Sequence, residues 1–298
     1  MKFNKILNNI KSLKIQGAEN VAISAVKALR IVLENSKAKN PKQLISEVLR
    51  AKKRLISTRP TEPFMRNSLN FICNAKNADL ARLVMDYNKR INFVEAHFKI
   101  AINDILNIGS RKIKNGMVVF THCHSSTVTG ILKMAKALGR RFEVYNTETR
   151  PLLQGRITAQ ELSKAGINVT HFVDSAARIA LKKADIMLLG CDAITTDKIY
   201  NKIGSEMMVE IANRYDIPVY ICTDSWKFDP ESIYGKEVLI EERSPEEVWK
   251  LKSKRIRVSN LAFEKIDPNL ITGIISEFGI YKHNMFIDEL RKKYYWMF

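Results

Sequence analysis

Along the first third of the chain, apolar residues recur at every third or fourth position. In "AENVAISAVKALRIVLENS" they are Val21, Ala22, Ala25, Val26, Leu29 and Val32, which line one face of a helix. "NPKQLISEVLRAKKRLIST" predicts another helix, with Asn40 as its cap and Pro41 at its first position, where the N–H would have no partner anyway. "STRPTEP" interrupts the pattern; "FMRNSLNFICNA" and a long segment from Ala78 to about Ile108 resume it. The opening "MKFNKILNNIKSLKIQG" is basic and amphipathic. It lacks the apolar core and small-residue cleavage site of a secretory leader and reads as an ordinary first helix.

The period changes after the turn Lys114-Asn115-Gly116. Short apolar runs now predict strands: Met117 to Thr121, "FEVYNT" (142–147), "NVTHFV" (168–173), "DIMLLG" (185–190) and "IPVYICT" (217–223), the last closing the series. Helices are expected between them at 158–165, in "SAARIALKKA" and in "SEMMVEIANRY". Apolar strands alternating with helices imply a parallel sheet covered on both faces. The expected class is α/β: a helical N-terminal domain over 1–108, then a Rossmann-like parallel-sheet domain over 109–298. Ligands of such sheets bind beyond the carboxyl ends of the strands. The polar segments there are Thr121 to Ser126, Thr147 to Gly155, Asp174-Ser175, Cys191-Asp192 and Thr223 to Lys227, and they should converge on one rim.

The charge narrows the partners. With 49 Lys and Arg against 31 Asp and Glu, the net charge is +18, which favours anionic ligands. It is dispersed. Lys52, Lys53 and Arg54 form one cluster and Lys252, Lys254, Arg255 and Arg257 another, neither with interleaved aromatics, so nucleic acid is not the expected partner. No apolar run reaches the ~18–20 residues of a membrane span. Cys73, Cys123, Cys191 and Cys222 form no metal motif and no disulfide framework, which suits a reducing cytoplasm.

"THCHSS" (121–126) is the most polar strand end. As a metal site it is poorly arranged, because an extended backbone points His122 and His124 one way and Cys123 the other. A polar strand end with a half-buried cysteine is the bland reading. The functional one is a phosphate loop at a helix start, with Ser125 and Ser126 as donors and a field that favours a thiolate at Cys123. Asp192, in "GCDAI", is either a turn residue or, paired with Cys123, the acid beside a base. Asn201 and Lys202 in "YNKIGS", Lys227 in "DSWKF", Arg59 in "STRP" and Gly17 at a helix start add cations and backbone donors. Together they suit a substrate with two phosphates.

"KIQGAENVA", "STRPT", "THCHSS", "TETRPLLQGRITAQELSKAGI", "VDSAA", "GCDAI", "NKIGS", "DSWKFDP" and "NLAFEKIDPNLITGIISEFGI" occur here in the order found in one superfamily. It contains the archaeal ribose-1,5-bisphosphate isomerases, the methylthioribose-1-phosphate isomerases and the regulatory subunits of translation initiation factor 2B. The chain resembles that superfamily over nearly its whole length, and "THCHSS" looks most like the ribose-1,5-bisphosphate enzymes. The resemblance implies interconversion of α-ribose 1,5-bisphosphate and ribulose 1,5-bisphosphate in archaeal AMP degradation. Cys123 would be the base and Asp192 the acid. Gln16, Gly17, Ala18, Arg59, Ser125, Ser126, Asn201, Lys202 and Lys227 would bind substrate. It implies no cofactor and no metal. The partners it implies are a phosphorylated sugar, further copies of the chain as a dimer that can build a hexamer, and a nucleotide effector such as AMP. The alternatives are a methylthioribose-1-phosphate isomerase, or a non-catalytic regulatory subunit that senses nucleotides or contacts a translation factor. Departures from the isomerase pattern are Gln16 where arginine is usual, Glu19 where a small residue is usual, and Ser126 where lysine or a small residue often stands.

Overall fold

A computed structural model describes every residue except 1, 252 and 254, so the basic cluster at Lys252 and Lys254 lies partly outside the described residues. Five helices lead the chain: α1 (Lys2–Lys11), α2 (Ala18–Glu34), α3 (Pro41–Ile56), α4 (Pro63–Cys73) and α5 (Leu80–Ser110). Asn40 caps α3 as expected, its side chain accepting a hydrogen bond from the Gln43 N–H, with Pro41 at the first position. Asp79 caps α5 in the same way through the Arg82 N–H.

The second part alternates: β1 (Val118–Thr121), α6 (Ser126–Ala137), β2 (Glu143–Thr147), α7 (Gln154–Lys164), β3 (Asn168–Phe172), α8 (Ala177–Leu181) and β4 (Ile186–Leu189). Then come β5 (Ala193–Ile194), β6 (Ile199–Lys202), α9 (Ser205–Arg214), β7 (Val219–Cys222), β8 (Phe263–Ile266), β9 (Gly273–Ser276), β10 (Gly279–Tyr281) and α10 (His283–Lys293). The main sheet has the order β10-β9-β7-β4-β1-β2-β3. It is parallel except for β10, which runs antiparallel to β9 at the edge. The fully buried pattern of β4, β7 and β9 is what a sheet covered on both faces requires.

Several sequence expectations are corrected here. The strand at 217–223 does not close the series. Gly273–Ser276 adds another parallel strand, which the glycine and serine at its ends disguise as a loop. A separate antiparallel sheet, β5-β6-β8, was not foreseen. Asn201 and Lys202 lie on its central strand rather than in a loop before α9. Helix α7 begins at Gln154, ahead of the expected 158, because its first turn is polar and only Ile157 starts the apolar repeat. "SAARIALKKA" is α-helical only over Ala177–Leu181, after a 3₁₀ turn at Asp174–Ala176.

One apolar cluster runs from Ile10 and Leu29 through Phe64, Tyr87 and Phe98 to Phe120, Met187, Trp226 and Phe286, so the helical part and the sheet share a core. Asn67 on α4 reinforces this junction. Its buried amide donates to the carbonyls of Trp226 (2.8 Å) and Phe228 (2.7 Å). The loop after β7 is thereby held against the helices.

Candidate active site

The carboxyl ends of β1 and β4, the starts of α2 and α6, and β6 open onto one cleft of about 300 Å³. Gln16, Gly17, Ala18, Arg59, Cys123, Ser125, Ser126, Asp192, Asn201, Lys202 and Lys227 all line it. Gly17 stands just before α2 with φ 81°, a conformation that favours glycine. Ser125 caps α6, its hydroxyl accepting the Val128 N–H at 3.3 Å. Gly190 lets the end of β4 approach this cap: a Cβ there would lie 2.7 Å from Ser125 Oγ.

The thiolate expected at Cys123 is opposed by its surroundings. Burial pushes the thiol up to about 12, and the His124 N–H and the Lys202 ammonium offset only part of this. The extended backbone assumed for "THCHSS" is also absent, since Cys123 has φ 66°. His122 and His124 therefore go to different places. His122 Nε2 donates to the Ile203 carbonyl (2.9 Å) and Nδ1 accepts from the Thr147 hydroxyl (2.5 Å). Burial lowers its pKa, which fits this neutral tautomer. His124 Nδ1 faces Thr158 Oγ1 at 3.0 Å.

Asp192 sits where the two sheets meet, its N–H donating to the Tyr200 carbonyl at 2.9 Å. Its carboxyl has no hydrogen-bond or salt-bridge partner among the described residues. Burial raises its pKa against the pull of Lys227, Arg59, Lys202 and Arg243, so it holds a proton more readily than an ordinary aspartate. Lys227, in the 3₁₀ turn after β7, donates to the Cys191 carbonyl at 2.8 Å. Cys191 is buried and faces Thr223, as a packing residue would.

Two polar segments expected at the rim contribute little. Asp174 gives its carboxylate to the N–H groups of Thr149 (2.8 Å) and Arg150 (2.7 Å), and from 147–155 only Gln154 reaches the cleft. Sequence reasoning missed three charged residues of the cleft, Lys14, Glu62 and Arg243. Glu62, 2% exposed, pairs with Arg59 at 2.7 Å, and burial pushes it up to about 7. Arg243 comes from the stretch between β7 and β8, where a run of mixed charge reads as solvated surface, and nothing local marks it.

The fold and cleft define an α/β protein whose strand ends open onto a cleft lined by several cations, a half-buried carboxyl and a half-buried thiol. Residues 14–283 match the Initiation factor 2 subunit family, and the chain belongs to that family. It is 37% identical to the ribose 1,5-bisphosphate isomerase of Pyrococcus furiosus, over 99% of this chain and 94% of that one. It is 33% identical to the methylthioribose-1-phosphate isomerase of Fervidobacterium nodosum, over 93% and 85% of the two chains. Among solved structures it resembles a Pyrococcus horikoshii translation initiation factor eIF-2B, with TM-score 0.81 and 26% identity over 94% of this chain and 96% of that one.

Proposed function

We propose that this protein is a sugar-phosphate isomerase that interconverts α-ribose 1,5-bisphosphate and ribulose 1,5-bisphosphate. The observation that carries the reading is that Cys123 and Asp192 face one cleft together with Arg59, Lys202 and Lys227. The similarity to ribose 1,5-bisphosphate isomerases over nearly the full length supports it. In the proposed reaction Asp192 protonates the ring oxygen as the ring bond to C1 breaks. Cys123, as thiolate, takes the C2 proton and returns it to C1. The O2 proton passes back to Asp192, so both groups end as they began. Hydrogen moves within one molecule, so the reaction needs no external electron acceptor. Acid–base assistance of this kind contributes roughly 10²–10⁴ in rate per group.

The cations and the starts of α2 and α6 hold the phosphates in this reading. Within the proposal the protein acts in AMP degradation in the cytoplasm, as a homo-oligomer built of dimers with a nucleotide such as AMP as effector. The support for these points is the resemblance to isomerases of that pathway. A regulatory subunit would have no use for an acid and a thiol facing one cleft. The test is conversion of ribose 1,5-bisphosphate by purified protein, followed as ribulose 1,5-bisphosphate. No conversion of that substrate would reject the reading.

A further inference from the structure

Most polar groups of the cleft already have partners. The Gln16 amide donates to the Leu13 carbonyl at 2.8 Å, Asn201 Nδ2 to Ser205 Oγ at 2.9 Å, and Arg59 is tied to Glu62. Two cations differ. Lys202 is only 4% exposed, and its ammonium has no hydrogen-bond or salt-bridge partner among the described residues. The Arg243 side chain is 10% exposed. Its Nε is held by Glu241 Oε1 at 3.1 Å, which leaves both terminal nitrogens without a partner among the described residues. Phe263 joins the two. It pairs with Lys202 in register across β6 and β8, and its ring lies 5.9 Å from the Arg243 guanidinium.

Two buried cations side by side repel, and each gives up hydration. For Lys202, burial and the neighbouring Arg243 both push the pKa down. An anion between them offsets both costs. A phosphate is the fitting one: it carries about two negative charges, and guanidinium terminal nitrogens match its oxygens in pairs.

We propose that Arg243 is a substrate-binding residue, which together with Lys202 holds one phosphate of the sugar substrate. Glu241 is its positioning residue. Its other oxygen lies 3.6 Å from Arg59 Nη2, so one carboxylate bridges the two arginines and aims the terminal nitrogens of Arg243 into the cleft. The guanidinium is thus supplied by the stretch after β7, far in sequence from Gln16. The assignment rests on the sugar-phosphate reading above and adds to it which residue takes a phosphate.

The test is a cycle between the residue and the ligand group. Affinities of the parent, Arg243→Met and Arg243→Lys are measured for ribose 1,5-bisphosphate, α-ribose 1-phosphate and ribose 5-phosphate. Thermal melting of each variant checks the fold. Arg243→Met should bind the bisphosphate ten- to a hundred-fold more weakly, the size of a lost charge-assisted hydrogen bond. It should lose as much for one monophosphate and little for the other, which lacks the group Arg243 holds. Arg243→Lys should fall between, because it keeps charge but not the paired geometry. Equal loss for all three ligands, or no loss, would overturn the assignment while leaving the isomerase reading intact. A parent that binds none of them would overturn both.

Discussion

Ser126 Oγ donates a 2.8 Å hydrogen bond to Glu19 Oε2, joining the start of α6 to the start of α2. Both residues are departures from the isomerase pattern, and they prove to be partners. The carboxylate sits in the first turn of α2, where the helix field stabilises it. It also lines the cleft, where an anionic ligand would meet it. Glu19→Gln should therefore tighten ribose 1,5-bisphosphate binding several-fold, with the gain shrinking as salt screens the charge. Ser126→Ala leaves the charge in place and should give no such gain. Calorimetric titration at two salt concentrations checks both; unchanged or weaker binding in Glu19→Gln would count against a repulsive role.

Cys123 and Asp192 are assigned to one catalytic cycle. Cys123→Ser and Asp192→Asn should each remove most turnover, and the double variant should lose little more, because groups acting as a unit are not additive. Bisphosphate affinity should persist in all three, since other residues hold the phosphates. Turnover and affinity are compared with the parent; near-parental turnover in Cys123→Ser would remove the thiol from the mechanism.

The pH dependence follows from the proton count. The active arrangement has a proton on Asp192 and none on Cys123. That is the same total as a thiol beside a carboxylate, so the active arrangement is a fixed fraction of the singly protonated pair. With the thiol at about 12 and Asp192 raised, this state spans neutral and alkaline pH. Thus kcat/KM should be flat there and fall as pH drops through the raised Asp192 pKa, above the ordinary value of about 3.9. A profile that climbs through about 8.5, where an unperturbed thiol ionises, would contradict the shared-proton account.

Gly155, in the first turn of α7, packs against the end of β2. A Cβ there would lie 1.7 Å from the Thr147 carbonyl oxygen, a backbone atom that cannot step aside. Gly155→Ala should cost about 1–3 kcal/mol or more by overpacking. Denaturant unfolding reads this directly, and an unchanged midpoint would show that α7 can shift.

Glu277 lies beside Asp224, which pairs with His97 at 3.1 Å, and burial with the Asp224 charge pushes it up to about 7. A carboxyl whose folded pKa is raised contributes stability that is fully present below its unfolded pKa and lost as pH rises through the folded value. Glu277→Gln should therefore gain on the parent as pH rises from about 5 to 8, by up to ~3 kcal/mol. The difference in melting temperature across that range tests it; a constant difference would mean that Glu277 stays ionised.

The order of helices and strands was legible because periodicity is a local property. Val21 to Val32, or "DIMLLG", declare their element without reference to anything distant. The rim was legible for a related reason. In a parallel sheet every strand ends on the same side, so polar residues after Thr121, Gly190 and Thr223 are bound to meet. Cys123, Asp192 and Lys227 do share the cleft. Other elements were not legible: β5 has only two residues, and β9, though as long as β4, begins on Gly273 and ends on Ser276 and is broken by polar neighbours.

What the sequence by itself determined, then, is the alternating architecture and most of the residues that surround the cleft. Tertiary structure alone decided their chemical state. The Cys123 thiol is set by how much water its surroundings exclude, a sum over residues from both parts of the chain that no motif contains. The Glu19–Ser126 bond spans 107 positions, and Arg59 meets Arg243 only through Glu241. Such pairings depend on where the folded backbone brings two distant side chains, and the spacing of residues along the chain carries no trace of that.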